Sequence, residues 1–346
     1  MATKKSKKKT SKESKKNKSS LDIALQSISK EYGMHLDWLS EAPEEDEVIP
    51  TGSLSLDYAL GRGGLVRGRM VEIYGSPKGG KSTLAMSIIA EAQKLGGRAL
   101  YVDAERALDK RLPSKYGCDP SNFLLIDNCY CGEDYIDVME KLLRTGEFAV
   151  AVLDSVPGIV PRAVLDASIN QMHMGIHARL ISDMVKRFLN IIGETKTLLI
   201  CINQIRYKIG AYGDPRTTPG GQSIPFFSSY RIEVSGGDTK ANKIFHPVTN
   251  NIIGHTMQFH TVKNKLGPPY RKGAIDLIYG KGYDSVGEIV SLGEDLNVFE
   301  RAAAWYKYKG ETIANGKDKA KEYLVSNPDV TEEVIKEIKA ILSLDA

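Results

Sequence analysis

The sequence predicts an α/β protein built on a mostly parallel central sheet, and three observations carry that prediction. Short apolar runs at residues 70–74, 99–102, 123–126, 150–153 and 198–202 alternate with helical patterns at 83–95, 133–144 and 174–192. Strands that are apolar on both faces belong in a sheet covered by helices on both sides. Three later runs, at 231–234, 257–262 and 275–278, follow one another without helices and predict an antiparallel extension. The first strand-to-helix junction carries a complete GxxxxGK[ST] signature.

The elements fall into four segments. Residues 1–20 hold nine lysines and one acid, a charge of +8 in a chain whose total is +4, so the remaining 326 residues carry −4. Such a run is a solvated, disordered arm, and the basicity of the chain belongs to it rather than to the body. Residues 21–48 are a helix and linker. Leu21, Leu25 and Ile28 recur at helical spacing behind Ser19-Ser20, and residues 41–47 contain five acids. Ser20 has Ile23 three residues on, so no capping box is expected there. Residues 49–284 form the α/β core and residues 285–346 a small, helix-rich α/β domain closing with an amphipathic stretch at 331–342. In helix 83–95, Leu84, Ala85, Ile88, Ile89, Ala92 and Leu95 make one apolar face. At 42% hydrophobic and 26% charged residues the chain reads as globular. The apolar runs are strand-length, so no membrane-spanning helix is expected. Four cysteines and no recognisable signal peptide predict a reducing, cytoplasmic setting.

The chemistry concentrates at strand ends. Gly75, Ser76, Pro77, Lys78, Gly79, Gly80, Lys81, Ser82 and Thr83 form the phosphate-binding signature and open the following helix. Its glycines let backbone N–H groups turn inward around phosphates, helped by the positive end of the helix. Lys81 would reach the β- and γ-phosphates of ATP and the Ser82 hydroxyl would hold Mg²⁺. Asp154 ends the run 150–153 and suits the second anchor of the metal, while Asp103-Ala104-Glu105 ends another strand with a further carboxylate pair. Any one such acid alone reads equally well as a turn or helix cap. Asn203-Gln204 places polar amides at a third strand end. His173 and His177 lack the frame of a zinc site, Cys129 and Cys131 lack a second pair, and both are read as ordinary thiols. Trp305, Tyr306 and Tyr308 are expected in the core of the small domain, beside a group of lysines (Lys307, Lys309, Lys317, Lys319, Lys321) that suits either duplex DNA or a solvated face.

In their order these residues resemble the bacterial RecA family of recombinases. The resemblance rests on Ile49-Pro-Thr-Gly-Ser-Leu-Ser-Leu-Asp-Tyr-Ala-Leu-Gly61, the phosphate loop, Asp103-Ala-Glu-Arg-Ala-Leu-Asp109, Leu153-Asp-Ser-Val156 and His173-Met-Gly-Ile-His-Ala-Arg179. It continues through Ile202-Asn-Gln-Ile-Arg206, Thr217-Thr-Pro-Gly-Gly221, Val262-Lys-Asn-Lys265 and Ala304-Trp-Tyr-Lys-Tyr-Lys-Gly310. It covers about residues 21–328 and implies a RecA-type P-loop ATPase core, an oligomerisation role for residues 21–48, and filaments on single-stranded DNA that exchange strands with homologous duplex. By this resemblance Glu105 orients the attacking water and Gln204 couples the γ-phosphate to the following loop. Asp109 and Tyr279 contact adenine, and Lys263 and Lys265 reach a neighbouring subunit's γ-phosphate. Two loops, 157–174 and 205–226, would bind DNA through Met174, Arg206, Lys208, Ile209, Tyr212, Thr217, Thr218, Gly220 and Gly221, with Arg179, one helical turn into the next element, as a further contact to the DNA backbone. On residue type alone, residues 205–226 read equally as a Gly/Pro loop and the two lysines as a solvated strand edge. A LexA-like repressor and loader proteins are further partners the resemblance implies.

The chain departs from the family in places. Lys110 and Leu112 stand where Pro and Tyr are usual, so one side of the adenine pocket is expected to lose a ring. Lys78 and Gly79 replace Ser or Glu, and Pro225 replaces a Lys. Residues 301–346 hold eight basic and eight acidic residues instead of an acidic tail. These departures point to a divergent member, of a kind a phage would carry. They also motivate a second reading, a nucleotide-switched DNA-binding scaffold without strand exchange. A ring helicase is disfavoured by the carboxyl-terminal pattern.

Overall fold

The computed structural model describes residues 19–33, 36, 38, 46–168, 175–207, 210, 213, 215–237 and 239–344. It divides into two units, residues 1–46 and 47–346. In the first, α1 (Ser20–Tyr32) starts from Ser19, whose hydroxyl accepts the Asp22 N–H at 3.1 Å while the Asp22 carboxylate accepts the Ser19 N–H at 2.9 Å. This is a capping box, contrary to the sequence expectation, because the cap sits one residue earlier and Asp serves in place of Glu. None of its residues is buried, and Leu21, Ile23 and Ile28 are exposed.

The second unit opens with β1 (Val48–Ile49), α2 (Leu54–Leu60) and β2 (Leu65–Val66), the two strands pairing antiparallel. Then come β3 (Met70–Gly75), α3 (Lys81–Lys94), β4 (Arg98–Asp103), α4 (Leu112–Lys115), β5 (Phe123–Ile126), α5 (Gly132–Leu143) and β6 (Phe148–Asp154). After α6 (Arg162–Leu165), α7 (Ile176–Thr195) and β7 (Leu198–Gln204), the chain forms a small hairpin of β8 (Arg206–Tyr207) and β9 (Arg216–Thr217). Next, α8 (Ser223–Phe227) leads to β10 (Tyr230–Ser235), β11 (Lys243–Phe245), β12 (Ile252–Asn264), β13 (Lys272–Ile278) and β14 (Gly282–Tyr283).

The sheet runs β14-β13-β12-β10-β3-β7-β6-β4-β5, with β11 attached to β12. All pairs from β10 to β5 are parallel, so the antiparallel extension starts at β12, one strand later than the sequence suggested. Strand residues alternate between two apolar layers. Val150 and Val152 of β6 pack on the layer holding Leu84, Ile88 and Ile89 of α3, and Ala151 and Leu153 on the layer holding Tyr135 and Met139 of α5 and Phe188 of α7. That double coverage explains why these strands read as unbroken apolar runs. Leu95, expected on the apolar face of α3, caps the helix and is 66% exposed. Among the strands, β3 carries one charged residue inside. Glu72 is fully buried and accepts Arg231 Nε at 2.5 Å and Asn203 Nδ2 at 2.9 Å, so its charge is matched within the sheet.

The carboxyl-terminal part adds α9 (Ser285–Asp295), an antiparallel sheet of β15 (Glu300–Ala302), β16 (Trp305–Tyr308) and β17 (Glu311–Asn315), then α10 (Lys317–Ser326) and α11 (Pro328–Leu342). Its core holds Phe299, Tyr306, Tyr308, Leu324, Val334 and Ile338. Trp305 lies outside that core, 48% exposed, because it precedes Tyr306 on a strand with only one buried face. Three of the five lysines suggested for duplex DNA are engaged at home. Lys309 pairs with Glu333 and Glu337, Lys321 with Asp284, and Lys317 donates to Ser291.

The joint between this part and the core combines an apolar contact, Leu54 of α2 packed against the carboxyl-terminal core, with a polar one. Glu288 of α9 accepts Ser53 Oγ at 2.6 Å and the Ser55 N–H at 3.0 Å at the amino end of α2. Below it, buried Asp57 accepts the Thr51 N–H at 2.8 Å. Burial pushes its carboxyl up to about 8, with Glu288 and Glu91 adding to the shift against the Thr51 hydrogen bonds. The folded chain thus keeps a proton that the unfolded chain releases near pH 4, so stability falls as pH rises between about 4 and 8. Thermal unfolding across that range should show the fall, and Asp57→Asn, which keeps an acceptor without the charge, should flatten it.

Candidate active site

Parallel pairing brings the ends of four strands to one edge. Gly75 of β3 is the register partner of Gln204 of β7, and Asp103 of β4 that of Asp154 of β6. The phosphate loop leaves β3 through a close approach that only glycine permits. A Cβ on Gly75 would lie 1.8 Å from the Val234 carbonyl oxygen. Gly80 turns into α3 at φ +95°, where a Cβ would lie 2.7 Å from Met257 Sδ. It caps α3 without any side-chain acceptor, so the helix's positive end faces the loop. Lys81 Nζ folds over the loop, donating to the Ser76 carbonyl at 2.7 Å and the Gly75 carbonyl at 3.3 Å.

Beside the loop, Ser82 Oγ donates to Asp154 Oδ2 at 2.6 Å, and the Tyr101 hydroxyl donates to the same oxygen at 2.5 Å. Burial pushes the Asp154 carboxyl up, against those two hydrogen bonds, and the neighbouring Glu105 and Asp103 charges add to it. A serine hydroxyl and a carboxylate in contact, with excess negative charge around them, fit a divalent cation. Among the described residues no cluster of three or more His, Cys, Asp or Glu side chains could hold a metal unaided.

The two acids at the end of β4, Asp103 on the strand and Glu105 just beyond it, have different work. Asp103 is buried and accepts the Leu108 N–H at 2.8 Å, fixing the turn. Glu105 is exposed toward the site, where Oε1 accepts the Ser155 hydroxyl and Gln204 Nε2, the latter at 3.0 Å. Ser155 was not singled out from the sequence, although it follows Asp154 directly. Gln204 in turn is tied to the next loop, since its N–H donates to Asn203 Oδ1 at 3.0 Å and Asn203 Nδ2 donates to the Pro219 carbonyl at 3.0 Å. A cavity of about 500 Å³ extends from Lys78–Thr83 to Tyr116, His255, Leu277, Tyr279 and Gly280. Tyr279 is half exposed, and its hydroxyl lies 3.3 Å from His255 Nδ1. Asp109 stands outside the lining, where the Arg111 guanidinium grips both oxygens and holds its carboxyl down at about 2. Tyr116 and His255 were also missed, because an isolated ring or imidazole carries no spacing signal.

Lys263 and Lys265 do not reach this edge from within the chain. Lys263 pairs with Arg231, and Arg231 with Glu72, three residues before Gly75. At the usual strand rise that is a level about 10 Å below the phosphate loop. Its amine donates to the Pro225 and Phe226 carbonyls, both at 2.7 Å, and burial followed by the Lys265 charge lowers its pKa. Lys265 is exposed.

Of the expected DNA-contacting residues, Met174, Lys208, Ile209 and Tyr212 lie outside the described residues. Arg179 is exposed on the first turn of α7, Arg206 is exposed on β8, and Thr217 is half-buried on β9. Thr218 and Gly220 are buried. A Cβ on Gly220 would meet Val156 and Ile181, and one on Gly221 would meet Ala178, so both glycines seat the loop against α7. Tyr207, 70% exposed on β8, is an outward ring that the sequence reading passed over.

The strand–glycine-loop–helix unit with its Ser–Asp pair defines the phosphate-binding core of a P-loop ATPase. The chain matches the RecA N-terminal domain over residues 19–284 and the RecA C-terminal domain over 287–343. It is 41% identical over 318 residues to Protein RecA of Heliobacterium modesticaldum, covering 91% of this chain and 90% of that one. To Protein RecA of Lactobacillus johnsonii it is 38% identical over 332 residues, covering 95% and 90%. In fold it is similar to the crystal structure of the RadB recombinase, with a TM-score of 0.50 at 19% identity over 68% of this chain and 98% of that one. The chain belongs to the RecA family, the DNA-dependent ATPases that recombine DNA.

The tight passage at Gly75 yields a direct check. Gly75→Ala forces the loop away from Val234 and should destabilise the protein by about 1–3 kcal/mol in denaturant unfolding, with nucleotide affinity falling in parallel.

Proposed function

We propose that this chain assembles as a helical filament on single-stranded DNA, binds ATP with Mg²⁺ at the edge described above, and exchanges strands with homologous duplex. The observation that carries the reading is the Glu105–Gln204 hydrogen bond, which ties the acid beside the phosphate loop to the foot of the hairpin loop. In this reading Lys78–Thr83 cradle the phosphates, and Ser82 with Asp154 hold Mg²⁺, which supplies charge neutralisation at the phosphate oxygens. Glu105, held by Ser155, takes the proton of the attacking water. When Gln204 turns to a γ-phosphate it lets go of Glu105 and pulls on Asn203, and with it the loop carrying Arg206, Thr217 and Tyr207. Lys208, Ile209 and Tyr212 of that loop, with Met174 of the first and Arg179 on the first turn of α7, would contact DNA. Phosphate contacts there position the strand without reading its sequence. Asp109 would reach the base edge once it parts from Arg111, opposite Tyr279.

Lys263 and Lys265 complete the site from the next subunit. Because Lys263 sits on its strand below its own phosphate loop, hydrolysis would depend on assembly, with a transition-state contribution of about 10³–10⁵ in rate. Among the described residues no helix is long and apolar enough to cross a membrane. A cytoplasmic setting, where a LexA-like repressor and loader proteins would meet the filament, goes with this reading.

A second reading, a nucleotide-switched scaffold without strand exchange, has one observation in its favour, since Lys263 is bonded at home by Pro225 and Phe226. Joint molecules formed from circular single-stranded and linear duplex DNA separate the two, for a scaffold binds DNA without forming them. In the recombinase reading, single-stranded DNA stimulates ATP hydrolysis and filaments appear in negative stain. Unchanged hydrolysis together with an absence of filaments would contradict it. Lys81→Ala should lose turnover, whereas Glu105→Gln should still bind ATP while turning over about 10²–10⁴-fold more slowly.

A further inference from the structure

The nucleotide cavity has two ends. One is the phosphate loop. The other is walled by two phenol rings from separate elements, Tyr279 on the turn after β13 and Tyr116 at the carboxyl end of α4. Tyr116 is firmly set. Its N–H donates to the Leu112 and Pro113 carbonyls at 3.1 and 3.0 Å, and its half-buried ring packs on the main core. Its Cδ1 lies 3.4 Å from where a Cβ on Gly282 would be. The ring therefore rests against the same turn that presents Tyr279, and Gly282, at φ +91°, leaves room for it. Leu112, one helical turn earlier, where the family resemblance placed a lost ring, is not on the cavity lining.

Phosphates held at Lys78–Thr83 leave a nucleoside only the far end of the cavity for its base, and a flat base gains most from aromatic faces. The geometry points to Tyr116 as a positioning and specificity residue for that base, working with Tyr279. The inference rests on the ATP-binding reading above. Tyr116 touches none of the phosphate-loop chemistry, so its loss should be felt at the base alone.

Calorimetric titration of the full chain with ATP, UTP and inorganic tripolyphosphate, each with Mg²⁺, tests this. For Tyr116→Ala, ATP affinity should fall about tenfold, as expected for the loss of one stacked ring, and the preference for ATP over UTP should shrink by a similar factor. Tripolyphosphate binding should stay within about twofold, since the phosphate loop is untouched. Tyr116→Phe should restore ATP binding, because the ring rather than the hydroxyl is invoked. Equal losses for ATP and tripolyphosphate would show that Tyr116 acts through the fold, and unchanged ATP affinity would show that the base lies elsewhere; either overturns the proposal. A folded parent chain that binds neither ATP nor tripolyphosphate would instead overturn the nucleotide reading itself.

Discussion

Parallel strand pairing is the constraint on which the site depends. A parallel sheet sends every carboxyl end to one edge, so Gly75, Asp103, Asp154 and Gln204 converge although they are scattered over 130 residues of sequence. Each end is held by burial below it: β3, β6 and β7 are apolar on both faces, and Glu72, the charged residue inside β3, is paired with Arg231 and hydrogen-bonded by Asn203. The short contacts at the edge, Ser82 to Asp154 and Gln204 to Glu105, are therefore consequences of packing several residues away.

The antiparallel strand β12 has the opposite consequence. Running back along β10, it carries Lys263 down to the level of Glu72 and away from the edge where its charge is wanted. One chain thus holds the phosphate loop, the metal pair and the acid, while the cations that would complete the charge balance face elsewhere. In the proposed filament those cations would come from a neighbouring subunit, so hydrolysis would be a property of the assembly. The charge distribution fits that proposal: apart from the +8 segment at residues 1–20 the protein is net acidic, so the proposed DNA affinity would come from loops brought into line rather than from overall charge.

Much of this was legible in the sequence because it rests on periodic or contiguous signals. Eight of the ten strands of the main sheet, the helices between them and the phosphate loop all follow from runs of neighbouring residues. What was not legible depends on contacts between distant residues or on small offsets. The capping box of α1 was missed by one position. Trp305 was assigned to the core by type, yet the strand's alternation turns it outward. The lysines of the small domain looked like a basic patch, and only the fold shows Lys309 and Lys321 already paired. Ser155, Tyr116 and His255 came to light only when the chain was folded, since each acts through a partner 24 or more residues away or through a cavity.

The central claim, that a complete site needs two subunits, is tested most directly by mixing two crippled proteins on single-stranded DNA. One carries Lys81→Ala and the other Lys263→Ala with Lys265→Ala, and the ATPase rate of each alone is compared with that of an equal mixture. If the sites are shared across a head-to-tail interface, random pairing makes about one interface in four complete, and the mixture recovers about a quarter of the parent rate. A mixture no faster than the mean of its two components would show that each chain hydrolyses ATP with its own residues, and would contradict the account.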